Sequence, residues 1–404
     1  MQARLSIVSS CAIAIFVLCI ACFLMPSGVD CAYAAETVKA GAIIEGDQQA
    51  SAAAADQPKT KKYSLTYKLR GGKLSGKQID TYTIKSGVAK LPKAVRTGYT
   101  FLGWSVNKLS KKTVTSIPKG TKGNKKLYAI WRKNTYVAHR GIAGDGVRKN
   151  SLQAFENAAE KGFDYVETDV RFTRDNVAVL AHDDEIKVYK AGKDGKKKGK
   201  AFKIKISEVS YNKLQNAYVA ARRTGKVVDR LVVKFDKKTN KLTVTTKQIR
   251  QNVSKFADFL DTCKSNGLIP YIEIKDGTKA QIKNLVKKVD KHHMTRKVKW
   301  ASFDENVLNI VKKCHPKSDL VLLAFDVTKS RIIAAKSLSR TGGKVSIITH
   351  ATELNKDDVN LCKNAKIPMG VWTLKNEKIA SKYASKYDKY IDTFVIDKVK
   401  KTIV

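Results

Sequence analysis

From Thr135 onward, short apolar runs alternate with stretches of helical spacing. The runs are Tyr136-Val137-Ala138, Tyr165-Val166-Glu167, Val177 to Ala181, Leu268 to Ile272, Val298 to Ala301 and Leu320 to Leu323, many of them rich in β-branched residues. Between them, Ser151 to Lys161, Ser254 to Asn266, Ala280 to Lys291, Glu305 to Cys314 and Asp357 to Asn364 place apolar residues three and four apart, the mark of a helix with one buried face. Strands alternating with helices predict a parallel sheet. Val345 to Ile348, Met369 to Trp372 and Thr393 to Ile396 add three more strand candidates, and the total exceeds eight by one. We expect Val345 to Ile348 to be the irregular or accessory segment. Tyr189 to Arg250 breaks the alternation with Lys193, the run Lys196-Lys197-Lys198 and hairpin-like material at Leu231 to Phe235 and Lys241 to Thr245. It reads as a basic insertion, residues 189–250.

The alternating part, residues 135–404, has the length of a single (β/α)8 barrel of the TIM type, whose active site forms at the C-terminal ends of its strands. The fold class is therefore α/β. The stretch before it differs. Tyr63 to Tyr67 and Thr81 to Ile84 alternate as strands around the turn Arg70-Gly71-Gly72-Lys73, and Gly98 to Trp104 and Leu127 to Trp131 complete a small β module over residues 63–132. Trp104 and Trp131 are expected in its core, because so small a unit needs its largest apolar side chains inside. Residues 35–62, rich in Ala, Gln, Asp and Lys, read as a linker. Residues 1–34 read as a signal peptide, with Arg4, an apolar run from Leu5 to Met25 and Ala32-Tyr33-Ala34 before a cleavage point at Ala35. An uncleaved membrane anchor is the alternative reading of the same run. Cleavage would leave Cys263, Cys314 and Cys362, an odd number at wide spacing with no metal-ligand pattern.

Candidate chemistry gathers at strand ends. His139-Arg140-Gly141, Glu167-Thr168-Asp169, His182-Asp183 and Glu273-Ile274-Lys275 each close a strand-like segment with residues able to hold a metal or a phosphate. Residues i and i+2 of a strand share a face, so Glu167 can point into a barrel with Asp169, and Glu273 with Lys275. His292-His293, His315 and His350 lie in lysine-rich or loop contexts and are expected to be surface residues.

These motifs carry a resemblance. With Asn150 to Phe155, Ser302-Phe303, Val371-Trp372-Thr373 and Ile396-Asp397, residues 135–404 resemble the glycerophosphodiester phosphodiesterase family. The resemblance implies a TIM barrel and metal-dependent hydrolysis of a glycerophosphodiester to glycerol 3-phosphate and an alcohol. It implies Glu167, Asp169 and Glu273 as cation ligands and His139 and His182 as general acid and base. Arg140 and Lys275 would contact phosphate, and Trp372 would line the pocket. Lys149 departs from the family, which commonly has an acidic residue before the Asn-Ser/Thr pair; the change is expected to replace a negative charge near the metal with a positive one. Residues 63–132 resemble the Listeria-Bacteroides (internalin B-type) repeat, on Gly71-Gly72, Gly98 to Phe101, Gly103-Trp104 and Tyr128 to Trp131.

The chemistry is consistent with those roles. A phosphodiester repels a nucleophile, and cleavage concentrates charge on the phosphoryl oxygens; a hard cation in a carboxylate cage offsets both effects. Oxygen ligands suit Ca2+ or Mg2+ and disfavour zinc. The net charge of +42, from 78 Lys and Arg against 36 Asp and Glu, attracts polyanions such as an anionic membrane surface or cell-wall polymer. No nucleic-acid partner is expected, because the lysines are spread along the chain without a reading motif. The resemblance and the charge together imply a secreted or cell-surface phosphodiesterase acting on glycerophosphodiesters, lysophospholipid headgroups or glycerol-phosphate cell-wall polymers. Its rival is a surface binding or adhesion protein with a degenerate barrel.

Overall fold

The computed structural model describes residues 60–399 apart from 237–239, 341 and 388. The expected signal peptide and nearly all of the expected linker lie outside the described residues.

Eight parallel strands build the larger part: β1 Thr135–Ala138, β2 Tyr165–Phe172, β3 Ile269–Ile274, β4 Lys299–Ser302, β5 Asp319–Ala324, β6 Val345–His350, β7 Met369–Asn376 and β8 Thr393–Lys398. Each pairs with the next in space, β8 pairs with β1 and β2 pairs with β3, so the sheet closes on itself. The helices between them are α1 Leu152–Glu160, α2 Phe256–Ser265, α3 Lys279–Lys291, α4 Glu305–Cys314, α5 Lys329–Ser339, α6 Lys356–Ala365 and α7 Glu377–Lys386. The fold is a TIM barrel, as the alternation predicted.

Alternation along each strand makes two cores. Val137, Tyr271, Ala301, Val321, Leu323, Ile348 and Val395 pack inside the barrel, while Tyr136, Ala138, Ile272 and Leu322 face the helices. Burying one such large side chain contributes about 1.5–3 kcal/mol. The cysteines at 263 and 362 belong to the outer core, and the three described cysteines are all free thiols.

The ninth strand is a correction. Val345 to Ile348 is not accessory: it lies within β6, paired between β5 and β7. The surplus strand is Ala178–Leu180, which runs antiparallel to the outer end of β2. Chain length explains the difference. Only Thr173 to Val177 separates Phe172 from Ala178, far short of the dozen or so residues that a parallel crossover needs. Two helices, α5 and α7, also went unread. Ile333 is exposed beside the buried Ile332 of α5, and α7 buries only Ala380 and Ala384, so neither shows a clean apolar stripe.

The insertion forms a three-stranded antiparallel sheet of Glu185–Ala191, Lys197–Lys205 and Tyr218–Ala220, followed by a hairpin of Val227–Asp236 and Lys241–Arg250. Before the barrel, Lys62–Lys68, Thr81–Thr83, Tyr99–Ser105 and Lys125–Lys133 form a four-stranded sheet around buried Leu65, Tyr82, Trp104 and Leu127. Trp104 lies in this core and donates from Nε1 to Pro92 O at 2.7 Å; the half-buried Trp131 packs against the core and donates to Leu69 O. Arg132 donates to Ile391 O, Lys389 to Leu102 O and Lys133 to Asp164. Asp164 and Ile391 precede β2 and β8, so the module rests on the N-terminal end of the barrel, opposite the strand ends that carry the candidate chemistry.

Candidate active site

The turn after β1 sets the first corner. Arg140 and Gly141 both have positive φ, 58° and 74°, and a Cβ on Gly141 would lie 2.6 Å from the carbonyl carbon of Ala154. Only glycine fits against the start of α1 there. The turn directs the Arg140 backbone N–H to Glu167 Oε2 at 3.0 Å and brings Arg140 Nε to 2.9 Å from Asp169 Oδ2, as an ion pair out of line for a hydrogen bond. Ser151 caps α1, its hydroxyl accepting from Ala154 N. Asn150 accepts from Thr168 Oγ1 and donates to Asp169 Oδ2 at 2.9 Å, which fixes the orientation of that carboxylate.

Register brings the acids together. Glu273 of β3 lies level with Asp169 of β2, and ligand atoms of Glu167, Asp169 and Glu273 all fall within 4.8 Å of one another. All three residues are buried. Burial first, then mutual repulsion with Asp169, drives the Glu167 carboxyl well above its ordinary range and raises that of Glu273 as well. Glu167 Oε1 and Asp169 Oδ1 are buried and accept no hydrogen bond. Orphaned oxygens facing one point are rare in a folded interior. They fit a hard cation with oxygen ligands. Lys275 donates to Glu273 Oε1 at 2.8 Å and lies 3.8 Å from Asp169 Oδ1.

The histidines flank this cage. His139 is 13% exposed; its Nε2 lies 4.0 Å from Glu167 Oε2 and its Nδ1 2.8 Å from Asp397 Oδ1. Burial lowers the pKa of its ring below the ordinary histidine value, Arg140 and Lys149 push the same way, and the bond to Asp397 opposes them. Against the cost of burial, hydrogen bonds from His139 and Lys149 hold the Asp397 carboxyl at about 2. Asp397 is therefore an acceptor, so Nδ1 carries the proton and the Nε2 lone pair faces the barrel. Lys149 reaches the site through the far side of the His139 ring. Its ammonium is 2.6 Å from Asp397 and 3.5 Å from His139 Nδ1, on the side of the ring away from Glu167.

His182 arrives differently. The antiparallel strand Ala178–Leu180 runs back along β2, and Ala181 N donates to Asp169 O at 3.0 Å, which delivers His182 beside the cage. Its Nδ1 lies 2.7 Å from Asp183 Oδ1. That bond holds the Asp183 carboxyl below its usual value.

A model of the glycerophosphoryl diester phosphodiesterase family matches residues 139–400, from the histidine of the first corner to just past Asp397. The chain belongs to this family. Residues 63–130 match the Listeria-Bacteroides repeat domain. A Mycobacterium tuberculosis protein named "Probable glycerophosphodiester phosphodiesterase 2" is 55% identical over 47 residues, 12% of this chain; the chain spans only 18% of that curated relative's length. A glycerophosphodiester phosphodiesterase from Parabacteroides distasonis has a crystal structure at 20% identity and TM-score 0.47, with 66% of this chain and 94% of that one covered. An Oleispira antarctica phosphodiesterase, solved in complex with the product sn-glycerol-3-phosphate, is 16% identical at TM-score 0.46, with 65% and 92% covered.

This member of the glycerophosphoryl diester phosphodiesterase family has two unlike walls at the barrel mouth. One is aromatic. Phe303 and Phe325 stack at 5.2 Å, Trp372 meets both, and Trp372 Nε1 donates to Ala324 O. His350 packs on Trp372 at 4.7 Å, so it is part of this wall and not the surface bystander expected; it ends β6, which the sequence reading had set aside. His292 and His315 instead pair with Asp261 and Asp290. The other wall is a cleft of about 510 Å³ that joins Arg140, Lys149 and His182 to the insertion. The sequence reading also missed working roles for Asp397, Asn150 and Arg171. Arg171 holds the His182 carbonyl from Nε and Nη2, at 3.0 and 2.8 Å, and pairs with Asp276. Asp397 and Asn150 both sat inside motifs already singled out, which was the available signal; Arg171 had none.

Proposed function

We propose that the chain is a secreted, cation-dependent phosphodiesterase that cleaves glycerophosphodiesters to glycerol 3-phosphate and an alcohol. The observation that carries the reading is the convergence of two orphaned carboxylate oxygens, from Glu167 and Asp169, with Glu273, two histidines, Arg140 and Lys275 at one end of the barrel. Glu167, Asp169 and Glu273 would hold Ca2+ or Mg2+, which supplies positive charge against the phosphoryl oxygens. Arg140 and Lys275 would add to that charge while restraining the cage carboxylates.

His139 Nε2 would take a proton from the attacking water as its oxygen bonds to phosphorus. The bond from phosphorus to the leaving oxygen breaks, and His182 Nε2 would return a proton to that oxygen. The aromatic wall of Phe303, Phe325 and Trp372, uncharged and on the Lys275 side, suits the glycerol carbons. That leaves the leaving alcohol on the His182 side. The complete set argues against a barrel that only binds. Export rests on Ala32-Tyr33-Ala34 and would be checked by an N-terminus at Ala35 in protein recovered from medium.

The test is glycerol 3-phosphate release from glycerophosphocholine and glycerophosphoglycerol with calcium or magnesium. Release should stop with chelator. The same cation at a hundredfold excess over its dissociation constant should stabilise the fold by about 2.7 kcal/mol, read as a rise in melting temperature that Asp169→Asn removes. Chelator-resistant release, or a melting curve indifferent to cation, would reject the cage.

A further inference from the structure

We propose, building on the phosphodiesterase reading, that the cleft beside His182 is a subsite for a second negative group on the leaving alcohol, so that the preferred substrates are glycerophosphodiesters whose alcohol itself bears a phosphate.

The cleft is part of the site. Arg140, Lys149 and His182 line it on the barrel side, and Glu185, Lys187 and Arg222 on the insertion side. The insertion sheet brings the two outer residues onto neighbouring strands: Ala221 N donates to Lys187 O at 2.8 Å, at the end of the pairing of Glu185–Ala191 with Tyr218–Ala220. Lys187 and Arg222 line the same cleft as His182, so a group leaving on the His182 side meets both.

The charges there do not cancel. Glu185 is engaged by Lys203 at 3.1 Å, and Asp183 faces the His182 ring at 2.7 Å, so its charge is balanced while His182 carries the proton it gives to the leaving oxygen. On the cation side, Arg140 faces Asp169 and Lys149 is bonded to Asp397. Among the described residues, Lys187 and Arg222 have no ion-pair partner. Two uncompensated cations at the exit for the alcohol attract an anion and repel a cation, and the concave wall keeps the field from being fully screened. Among the described residues that line the cleft there is no aromatic side chain to face a cationic headgroup; Phe303, Phe325 and Trp372 lie on the other wall.

The experiment compares kcat/KM for four diesters at low and raised salt. They are glycerophosphoglycerol, its counterpart with a terminal phosphate on the second glycerol, glycerophosphoinositol 4-phosphate and glycerophosphocholine. The second and third share the extra phosphate but come from a glycerol-phosphate polymer and a lipid headgroup, so their ratio separates those sources. The wild-type protein should favour a phosphate-bearing alcohol over glycerophosphoglycerol by about tenfold, chiefly through KM, with the gap shrinking as salt rises. The double variant Lys187→Ala/Arg222→Ala should lose that gap while glycerophosphoglycerol turnover stays within about twofold. Equal or better turnover of the choline diester, or a double variant that slows all four alike, would overturn the subsite. If none of the four is cleaved, the phosphodiesterase reading fails by itself. Equilibrium binding of the terminal-phosphate diester then decides the subsite, and affinity unchanged in the double variant would reject it.

Discussion

The two histidine corners of the site are built on opposite plans. His139 is 13% exposed and held through its ring: Asp397 grips Nδ1, and the nitrogen facing the cage is the one left with a lone pair. His182 is 43% exposed and held through its backbone, where two nitrogens of Arg171 grip its carbonyl; its ring pairs with Asp183, itself 78% exposed. An exposed pair of that kind contributes little to rigidity. One corner is therefore braced at its ring by a half-buried carboxylate, and the other chiefly at its backbone. That division suits the roles proposed for the two corners, a base that must meet a nucleophile in a fixed line and an acid that must serve leaving groups of different shapes.

Removing either ring should give the largest effects, and leaving-group chemistry separates them. His139→Ala and His182→Ala should each lower turnover of glycerophosphoglycerol by about 10²- to 10⁴-fold. A diester of p-nitrophenol, whose alcohol leaves without a proton, should restore much of the loss in His182→Ala and almost none in His139→Ala. The reverse pattern would exchange the two roles, and equal rescue would end the comparison.

The grips come next. Asp397→Asn and Arg171→Ala should each cost about 10- to 100-fold, the range seen when a partner that orients a working group is lost. They should fail in different ways. Asp397→Asn leaves an amide able to donate to Nδ1 and so to favour the wrong tautomer, which lowers kcat across all substrates and reshapes the pH profile. Arg171→Ala loosens the arm that carries His182 and the cleft behind it, so its loss should vary with the leaving group. A loss in Arg171→Ala that is uniform across leaving groups would make that residue a general support of the fold.

The same contrast explains what the sequence could tell. The cage was legible because its ligands sit two apart on strands, Glu167 with Asp169, and because Glu273 closes the next strand of the barrel; local spacing and strand face carry that information. His182 was legible as a motif but its delivery was not. It follows an antiparallel strand whose run, Val177 to Ala181, has the same composition as a barrel strand, and β6 was displaced in the count to make room for it. The short link from Phe172 was the clue that would have settled the direction. Asp397 meets His139 across 258 positions, and the aromatic wall is assembled from the ends of β4, β5, β6 and β7. Such meetings depend on barrel closure, which no local pattern records.

Lys149 offers the smallest and sharpest test, because its ion pair is made within the His139 corner. Its ammonium lies against Asp397 and His139 Nδ1 and is one of the groups that keep the His139 ring below its ordinary pKa. Lys149→Ala removes that push and frees Asp397 to stabilise the protonated ring, so both consequences move the pKa of His139 upward. A base works only while deprotonated, so activity should now fail sooner on acidification: the acid limb of kcat/KM moves to higher pH. Lys149→Glu should move it further in the same direction, with kcat on the alkaline plateau little changed in either. A cation in the cage shifts wild type and variants alike, so the difference between their profiles survives its presence. A limb that stays in place in both variants would mean that the proton governing activity is not on His139, and the fixed corner would then have to be sought in His182.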